Sequence, residues 1–374
     1  MIRRLLLPAL LALLTFSAFQ WRVKTEMVDF NVYRQAATRA LKAEPLYRET
    51  DGHYQFKYLP AFALATAPFA GIDEDSAKLL WFAMSVGALI LLMRLSARFV
   101  PERRRGLAFL IGITLLFMAK FYAHELVLGQ ANLVFGVLIV VAVGAIQMEL
   151  PMVAGALVGA AVCVKPYAVI FVPWLAATEG RKAALASIAV CIAALLAPSL
   201  LYGFGGNVTL LGDWWHTVTS TTAPNLLGND NVSFAAMWAK WLGPGIVASA
   251  LAALTSLIAI AGVVDAWRRR SGINEPAYLE AAALLLLVPL LSPQGWDYVL
   301  LLGTPAVVLL VDRADEVPFE WRLGTWIFLG LMGIVSFDLI GRAAYGRYMN
   351  WSIVSVAAAA ILVALLRLRR QRLA

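Results

Sequence analysis

The chain has 374 residues, of which 61% are hydrophobic and only 14% are charged, and its formal net charge is +8. Apolar runs recur along its whole length, which excludes an ordinary soluble domain and indicates an all-α polytopic membrane protein. Much of the basic charge lies between apolar runs, where it orients membrane helices, so nucleic-acid binding is not predicted. Cys163 and Cys191 lie inside apolar runs without a second thiol nearby, so we expect no metal site, no cofactor and no disulfide framework.

The first element is an apolar segment over residues 1–19 that carries Arg3 and Arg4 near its start. No convincing cleavage motif of small residues follows it. We therefore interpret it as a retained membrane helix with a cytoplasmic N-terminus rather than as a signal peptide. The polar stretch that follows, about residues 21–76, would then be the first outer loop.

Within this loop, residues 29–41 have apolar side chains at helical spacing, which predicts a helix that lies on the membrane surface. The apolar positions are Phe30, Tyr33, Ala37, Ala40 and Leu41. Asp29 and Tyr33 are one helical turn apart and share a face of this helix. Asp29 lies in the first turn, where the helix dipole favours the ionised carboxylate.

Residues 58–72 are apolar, but at about 15 residues they are short for a membrane span, and they contain Pro60 and Pro68. We predict a re-entrant or juxtamembrane helix here that does not cross the bilayer. This choice places most arginine-rich segments, among them Arg103, Arg104 and Arg105, on the cytoplasmic side. A crossing would put them outside, against the positive-inside tendency.

The later apolar runs bring the prediction to about twelve membrane helices, with both termini in the cytoplasm. They lie at approximately residues 77–97, 106–119, 131–147, 151–164, 166–178, 183–202, 246–266, 277–292, 298–311, 323–340 and 351–366. The whole chain, residues 1–374, would form one integral-membrane domain. Its second long outer loop would cover about residues 203–245.

Several polar residues on the predicted outer face are candidates for function. His124 and Gln130 lie just before a predicted helix, together with Asn132, which could be only an N-terminal cap; capping does not explain Gln130. Lys165 interrupts an apolar stretch, where a cation either meets an anion or snorkels to the interface, and both interpretations stay open.

Two later groups of residues have adequate structural explanations. Asn231 and Ser233 lie in a sequence typical of a turn followed by a helix cap. Trp296 follows a helix break at Ser292 and Pro293 and suits the aromatic belt of a membrane protein.

These residues form a series of short motifs that resembles glycosyltransferase family 87 in its order, from about residue 25 to about residue 300. The motifs are Asp-x-x-x-Tyr (Asp29, Tyr33), Pro-x-Tyr (Pro45, Tyr47), Tyr-x-Pro (Tyr58, Pro60), Gly-Gln-x-Asn (Gly129, Gln130, Asn132), Lys-Pro (Lys165, Pro166), Asn-x-Ser (Asn231, Ser233) and Ser-Pro-x-x-Trp (Ser292, Pro293, Trp296). Some relatives continue the last motif with histidine, whereas this chain has Asp297 and Tyr298. Sugar and acceptor identity therefore stay open.

The resemblance implies a C-type glycosyltransferase fold and a hexosyltransferase of the kind that includes polyprenyl-phosphate-mannose-dependent α-1,2-mannosyltransferases. It implies Asp29 as the catalytic base, with inversion at the anomeric carbon; Glu26 is the nearest rival acid. A phosphate leaving group needs stabilisation by a cation rather than by a proton. We assign this role to Lys165, together with Lys57 or His124. The further residues expected to bind substrate are Tyr33, Tyr58, Gln130, Asn132, Asn231, Ser233 and Trp296.

We therefore expect a multi-pass enzyme of the plasma (inner) membrane with its site on the outer face. Nucleotide sugars are absent there, so a polyprenyl-phosphate sugar would be the donor. The acceptor would be a glycan or glycolipid, and membrane lipids would surround the protein. The alternative is a transporter or flippase of lipid-linked sugars, but no internal repeat and only Lys165 near the midplane support it. A scaffold without chemistry would leave the outward clustering of polar residues unexplained.

Overall fold

The structure is a computed structural model that describes residues 13–271 and 273–371. About 80% of it is helical, and in these ranges the only β-type pairing is an isolated antiparallel bridge between Asn231 and Trp296. The prediction of an all-α protein is thus confirmed. Of the predicted first membrane helix, residues 1–12 lie outside the described residues, and residues 13–18 are helical.

The first half of the chain begins with a π-helical stretch, Phe19–Val23, and one further turn, Lys24–Glu26. The α-helices that follow are α1 (Val28–Leu41), α2 (Pro60–Ala65), α3 (Glu74–Arg98), α4 (Leu107–Leu128), α5 (Asn132–Gln147), α6 (Pro151–Val164), α7 (Phe171–Thr178) and α8 (Arg181–Leu196). Short 3-10 helices occur at Glu49–Tyr54, Ala67–Phe69 and Pro166–Ile170.

The second half contains α9 (Ser199–Ser220), α10 (Phe234–Leu242), α11 (Ile246–Arg268), α12 (Ala277–Leu291), α13 (Thr304–Asp312), α14 (Phe319–Gly333), α15 (Phe337–Ile340), α16 (Arg342–Asn350) and α17 (Ile353–Gln371). Here 3-10 helices occur at Ala223–Asn225, Asp297–Gly303 and Ala314–Glu316. The predicted spans at residues 131–147 and 151–164 agree closely with α5 and α6.

By length and composition, 3 helices in the described ranges, α3, α4 and α11, are able to cross a membrane. The number rises to 5 if the bent pairs α8 with α9 and α16 with α17 each count as one span. Helices α5, α6 and α12 and the segment Pro166–Thr178 are apolar but shorter. The predicted total of about twelve spans is therefore not confirmed. The 6-residue helix α2 is too short to cross, as predicted for residues 58–72.

Helix α4 is longer than the predicted span at residues 106–119, because it continues to Leu128 and ends at Gly129, which has a left-handed φ of 70°. The predicted span ended just before Lys120. In the structure α4 continues through this residue, whose Nζ donates to the carbonyl of Val335 at 2.9 Å. His124 and Glu125 consequently lie in the last turns of α4 rather than in a loop.

Helices α9 and α10 occupy most of the predicted second outer loop, residues 203–245. Helix α9 bends by 92° from α8, and its large apolar side chains, among them Leu200, Phe204 and Trp215, are exposed. An exposed apolar face on a bent helix suits a position along the membrane interface. The sequence did not indicate this helix as a membrane span, because its glycine, asparagine and threonine residues interrupt the apolar pattern. The predicted connection at residues 341–350 is likewise helical, as α16.

Polar groups gather at the two opposite ends of α4. At its N-terminal end, the backbone N–H groups of Arg104 and Arg105 donate to Asp312 Oδ1 at 3.0 and 2.9 Å. At its C-terminal end lie His124 and the connection to α5. The 22 residues of α4 place these ends about 33 Å apart. The arginine-rich and histidine-bearing segments therefore lie apart, as the charge pattern predicts.

Candidate active site

The start of α1 is held against the connection between α4 and α5 by a glycine. A Cβ on Gly129 would lie 2.8 Å from Phe30 Cβ, so no side chain fits between the two segments. The Gly129 carbonyl accepts a hydrogen bond from Trp81 Nε1 at 2.9 Å, and Phe30 stacks on the Trp81 ring with centroids 5.2 Å apart. This contact places Asp29, which neighbours Phe30, beside Gln130.

The buried face of α1 agrees with the prediction at Phe30, Tyr33, Ala37 and Ala40. Leu41 was predicted on the same face but is 55% exposed, because it is the last residue of the helix. Asp51, across the loop, pairs with Arg39 at 2.5 Å and holds this end of α1.

Gln130 is buried and joins four other side chains. Its Oε1 accepts hydrogen bonds from Tyr58 OH at 2.9 Å, from Tyr33 OH at 3.1 Å and from Lys165 Nζ at 3.1 Å. Its Nε2 donates to Tyr298 OH at 3.2 Å. We refer to Asp29, Tyr33, Tyr58, Gln130 and Lys165 as the Gln130 cluster.

Lys165 lies where α6 ends and a 3-10 helix begins, in an extended conformation that the following Pro166 favours. Its Nζ donates to Tyr58 OH at 2.5 Å and lies 4.3 Å from the centroid of the Tyr58 ring. Lys165 thus points into the Gln130 cluster rather than out of it. Its charge also interacts with the carboxylates of Asp29 and Glu125.

Asp29 is half-buried, and burial raises the pKa of its carboxyl group. The Gln130 amide and the positive charges of Lys165 and Lys57 act in the opposite direction and offset only part of this effect. Burial therefore outweighs the influences that favour the ionised carboxylate at Asp29. Burial also lowers the pKa of Lys57, which Asp29 partly opposes. Asp29 is left with a raised affinity for a proton and with cations nearby.

Glu125, Asn132 and Tyr167 form a second set of contacts against the Gln130 cluster. Asn132 Nδ2 donates to Glu125 Oε2 at 2.8 Å, and Tyr167 OH donates to Asn132 Oδ1 at 2.5 Å. Asn132 is the first residue of α5 and does not cap it, so the capping interpretation is wrong. Glu125 supplies the cap instead, because its Oε1 accepts from Leu133 N at 3.1 Å.

His124 and Asp297 form a pair on the other side of Tyr298. His124 Nδ1 lies 3.1 Å from Asp297 Oδ1, and the imidazole meets the Tyr298 ring edge to face, with centroids 5.1 Å apart. Asp230 lies beside this pair, because its carbonyl accepts from Asp297 N at 2.8 Å and its carboxylate interacts with both Asp297 and His124. Desolvation, and then the nearby Asp297, raise the pKa of Asp230. We refer to His124, Asp297 and Asp230 as the His124 group.

The Gln130 cluster and the His124 group do not include Asn231, Ser233 or Trp296. These residues support the backbone near both. Asn231 Nδ2 donates to the Pro293 carbonyl at 2.8 Å, and Asn231 Oδ1 accepts from Ser233 N at 3.1 Å. Ser233 Oγ caps α10 by accepting from Ala236 N at 3.1 Å. These contacts have the turn-and-cap character that the sequence predicts, and they position Asp230 and Asp297.

Sequence reasoning did not select Glu125, Tyr167, Asp297, Tyr298 or Asp230 as site residues. Tyr167 follows the Lys-Pro motif, and Glu125 follows His124, so both were next to selected positions. The structure distinguishes the two candidate bases. Glu26 is exposed, whereas Asp29 interacts with Lys165. The Trp214 indole adds a contact from α9, since its Nε1 donates to the Lys57 carbonyl at 3.2 Å.

The fold and the site define a helical membrane protein in which a carboxylate with a raised proton affinity lies near two lysines. Such a site is suited to group transfer, in which a base accepts a hydroxyl proton and cations stabilise an anionic leaving group. The sequence model of glycosyltransferase family 87 matches residues 56–293. The chain belongs to glycosyltransferase family 87, as its motif order predicts, and is a membrane glycosyltransferase.

Tyr58, His124, Gln130 and Lys165 lie within the matched residues, whereas Asp29 precedes them. Neither a search of curated proteins nor a search of solved structures found a match.

Proposed function

We propose that this protein transfers a hexose, mannose, from a polyprenyl-phosphate donor to a glycan or glycolipid acceptor, with inversion at the anomeric carbon. The observation that carries the proposal is the placement of Asp29 beside Gln130, Lys165 and Lys57 in one half-buried cluster. In this proposal the chain is a single domain with the C-type glycosyltransferase fold.

The reaction is a single displacement. The acceptor hydroxyl oxygen forms a bond to the anomeric carbon as Asp29 takes its proton, and the bond from that carbon to the phosphate oxygen breaks. The electron pair of the broken bond leaves with the polyprenyl phosphate, whose added negative charge Lys165 stabilises, with Lys57 nearby. A lone base without a covalent nucleophile gives inversion.

Tyr33 and Tyr58 serve as neutral donors and acceptors in this proposal. Burial raises the pKa of both phenols well above the usual value, so neither ionises at physiological pH. Tyr58 touches both Gln130 and Lys165, so it fixes the position of the ammonium for the phosphate. Asn132 positions Glu125 and Tyr167, and Asn231, Ser233 and Trp296 act on substrate through the backbone they arrange.

We place this site at the outer face of the plasma (inner) membrane, with both termini in the cytoplasm. The arginine-rich end of α4 lies about 33 Å from the site and suits the cytoplasmic side. A site outside the cytoplasm has no nucleotide sugars, so a sugar carried on a lipid phosphate is the available donor. The exposed apolar face of α9, whose Trp214 contacts Lys57, supports a location at the bilayer boundary.

The test is an assay of the full chain in proteoliposomes with a panel of radiolabelled polyprenyl-phosphate sugars, including mannose, glucose and galactose. Extracted membrane glycolipids serve as the acceptors, and GDP-mannose is the donor control. We expect transfer from polyprenyl-phosphate mannose, none from GDP-mannose, and transfer about 10²- to 10⁴-fold slower by Asp29→Asn. Movement of an uncleaved donor across the bilayer, without transfer, would favour the transporter alternative and contradict the proposal.

A further inference from the structure

We infer that the His124 group is the acceptor subsite, and that it binds an uncharged sugar by its hydroxyl groups rather than an anionic head group. The inference rests on the proposed function, because a transferase must hold a second substrate next to its donor. It assigns His124, which the sequence offered as an alternative to Lys57 beside the phosphate, to the acceptor instead, together with Asp297 and Asp230.

The geometry leaves hydrogen-bonding atoms of this group available. His124 Nδ1 is paired with Asp297 Oδ1 at 3.1 Å. Among the described residues, neither His124 Nε2 nor Asp297 Oδ2 makes a further hydrogen bond. The His124 side chain is 36% exposed and the Asp297 side chain only 8%, so a nearly buried carboxylate holds an accessible imidazole. The exposed Asp230 adds a second carboxylate at the rim.

The positive charges of Lys240 and Lys120, near the His124 group, are offset by the negative charges of Asp230 and Asp297, and both ammonium groups donate to backbone carbonyl groups. Lys240 Nζ donates to the carbonyls of Asn229 and Asn231 at 2.9 and 2.8 Å. Lys120 Nζ donates to the Val335 carbonyl at 2.9 Å. Carboxylates accept hydrogen bonds from sugar hydroxyls, whereas they repel a phosphate or a carboxylate ligand. This part of the site therefore favours a neutral polyol, in contrast to the Gln130 cluster with Lys165.

The two groups of residues meet at the Gln130 amide. Its Oε1 faces Lys165, with a distance of 3.1 Å, and its Nε2 faces Tyr298 OH, with a distance of 3.2 Å. Tyr298 in turn contacts the His124 ring. His124 is also close enough to Asp29 to interact with its charge. A hydroxyl held by the His124 group therefore lies next to the base, while the phosphate occupies the Lys165 side.

The experiment measures the binding of two ligands to the full chain in nanodiscs. Saturation-transfer NMR reports the binding of methyl α-D-mannopyranoside and methyl α-D-glucopyranoside, with mannose 6-phosphate as the anionic comparison. A thermal shift reports the binding of decaprenyl phosphate. The variants are Asp230→Asn, Asp297→Asn and, as the matched control, Lys165→Met.

We expect Asp230→Asn and Asp297→Asn to weaken methyl glycoside binding about tenfold, as is typical for the loss of a hydrogen bond to a charged group. Both variants should bind decaprenyl phosphate like the wild type. Lys165→Met should show the opposite pattern. Asp230 is exposed, so its variant tests the inference even if Asp297→Asn fails to fold.

Three results would overturn the inference: no saturation of either methyl glycoside by the wild type, unchanged saturation in Asp230→Asn, or mannose 6-phosphate binding as tight as that of the neutral glycosides. Failure of the proposed function is seen separately. It would appear as decaprenyl phosphate binding that is absent from the wild type or unaffected by Lys165→Met.

Discussion

The ammonium group of Lys165 lies 3.1 Å from the side-chain oxygen of Gln130, although 35 residues separate them in sequence. Its other partner, 2.5 Å away, is the Tyr58 hydroxyl. Both partners are neutral, so they orient the ammonium without neutralising it. The carboxylates of Asp29 and Glu125 act on this charge, but among the described residues neither forms an ion pair with Lys165, so the ammonium is available to an incoming anion. The sequence left both anion binding and snorkelling open for Lys165, and its position in the structure favours anion binding.

The first prediction concerns this cation. Lys165→Met should raise the KM for the polyprenyl-phosphate donor tenfold or more, or lower kcat if the contact tightens as the phosphate leaves. Steady-state kinetics in proteoliposomes checks this. Lys182→Met, an exposed lysine at the start of α8, is the control and should behave like the wild type. Unchanged kinetics in Lys165→Met, with intact folding, would assign Lys165 to a structural role.

The second prediction concerns the base. Asp29→Asn keeps the size of the side chain but cannot accept a proton, so transfer should fall about 10²- to 10⁴-fold. Glu26→Gln, at an exposed acid one turn earlier, should retain activity. The rates of sugar transfer by the two variants decide the assignment. Activity lost in Glu26→Gln but kept in Asp29→Asn would make Glu26 the base, and two active variants would contradict the mechanism.

The third prediction follows from the raised pKa of Asp29. A raised pKa in the folded state means that the ionised carboxylate costs stability above its ordinary value of 3.8. Asp29→Asn removes this cost, so it should raise the thermal unfolding midpoint at pH 7 while it slows transfer. The gain should shrink as the pH falls and vanish below 3.8, where the folded and unfolded states both hold the proton. A midpoint lower than that of the wild type at pH 7 would argue against burial as the cause.

The fourth prediction concerns pH and the same pair of residues. Transfer needs ionised Asp29, so kcat/KM should rise with pH as its carboxyl loses the proton, above the ordinary value of 3.8. The positive charge of Lys165 lowers the pKa of Asp29. Residual activity of Lys165→Met should therefore rise at a higher pH than that of the wild type. If kcat/KM of Lys165→Met rose at the same pH as that of the wild type, the charges of Asp29 and Lys165 would not interact.

The fifth prediction concerns Gly129. Gly129→Ala needs a left-handed φ of 70° and brings a methyl group to within 2.8 Å of Phe30 Cβ. We expect a loss of about 1–3 kcal/mol in stability, together with reduced transfer because Asp29 moves away from Gln130. Thermal unfolding and the transfer assay measure the two effects. Gly112→Ala, where open space surrounds the added methyl group, is the control and should be tolerated.

The sequence predicted some elements well because their signal is local. Helix α1 follows from the spacing of Phe30, Tyr33, Ala37 and Ala40, and the apolar runs of α5 and α6 fix their bounds. Two elements extend beyond what the sequence indicated, because their polar residues find partners only in the folded chain or face outward. Helix α4 continues through Lys120, whose side chain donates to the Val335 carbonyl, and α9 exposes apolar side chains such as Leu200 and Phe204.

The candidate site could be predicted only in part. Asp29, Gln130 and Lys165 were selected as separate motifs, and the structure brings them together. Their arrangement around one amide was not predictable, because it depends on tertiary contacts that no local pattern encodes. The role of Asn132 was misjudged for the same reason: Glu125, seven residues earlier, takes the place of its side chain at the cap.

The long sequence separations between hydrogen-bonded residues of the site also set the order in which it forms during synthesis. Tyr33 and Gln130 are 97 residues apart, Tyr58 and Lys165 are 107, and Gln130 and Tyr298 are 168. Contacts of such long range form late, because the chain between them must first be inserted and packed. A ribosome that has made α8 has delivered Asp29, Gln130 and Lys165 but not Tyr298. During synthesis Gln130 therefore lacks one of its partners in a partly assembled membrane bundle, where an unsatisfied polar group is costly, until Tyr298 has been made.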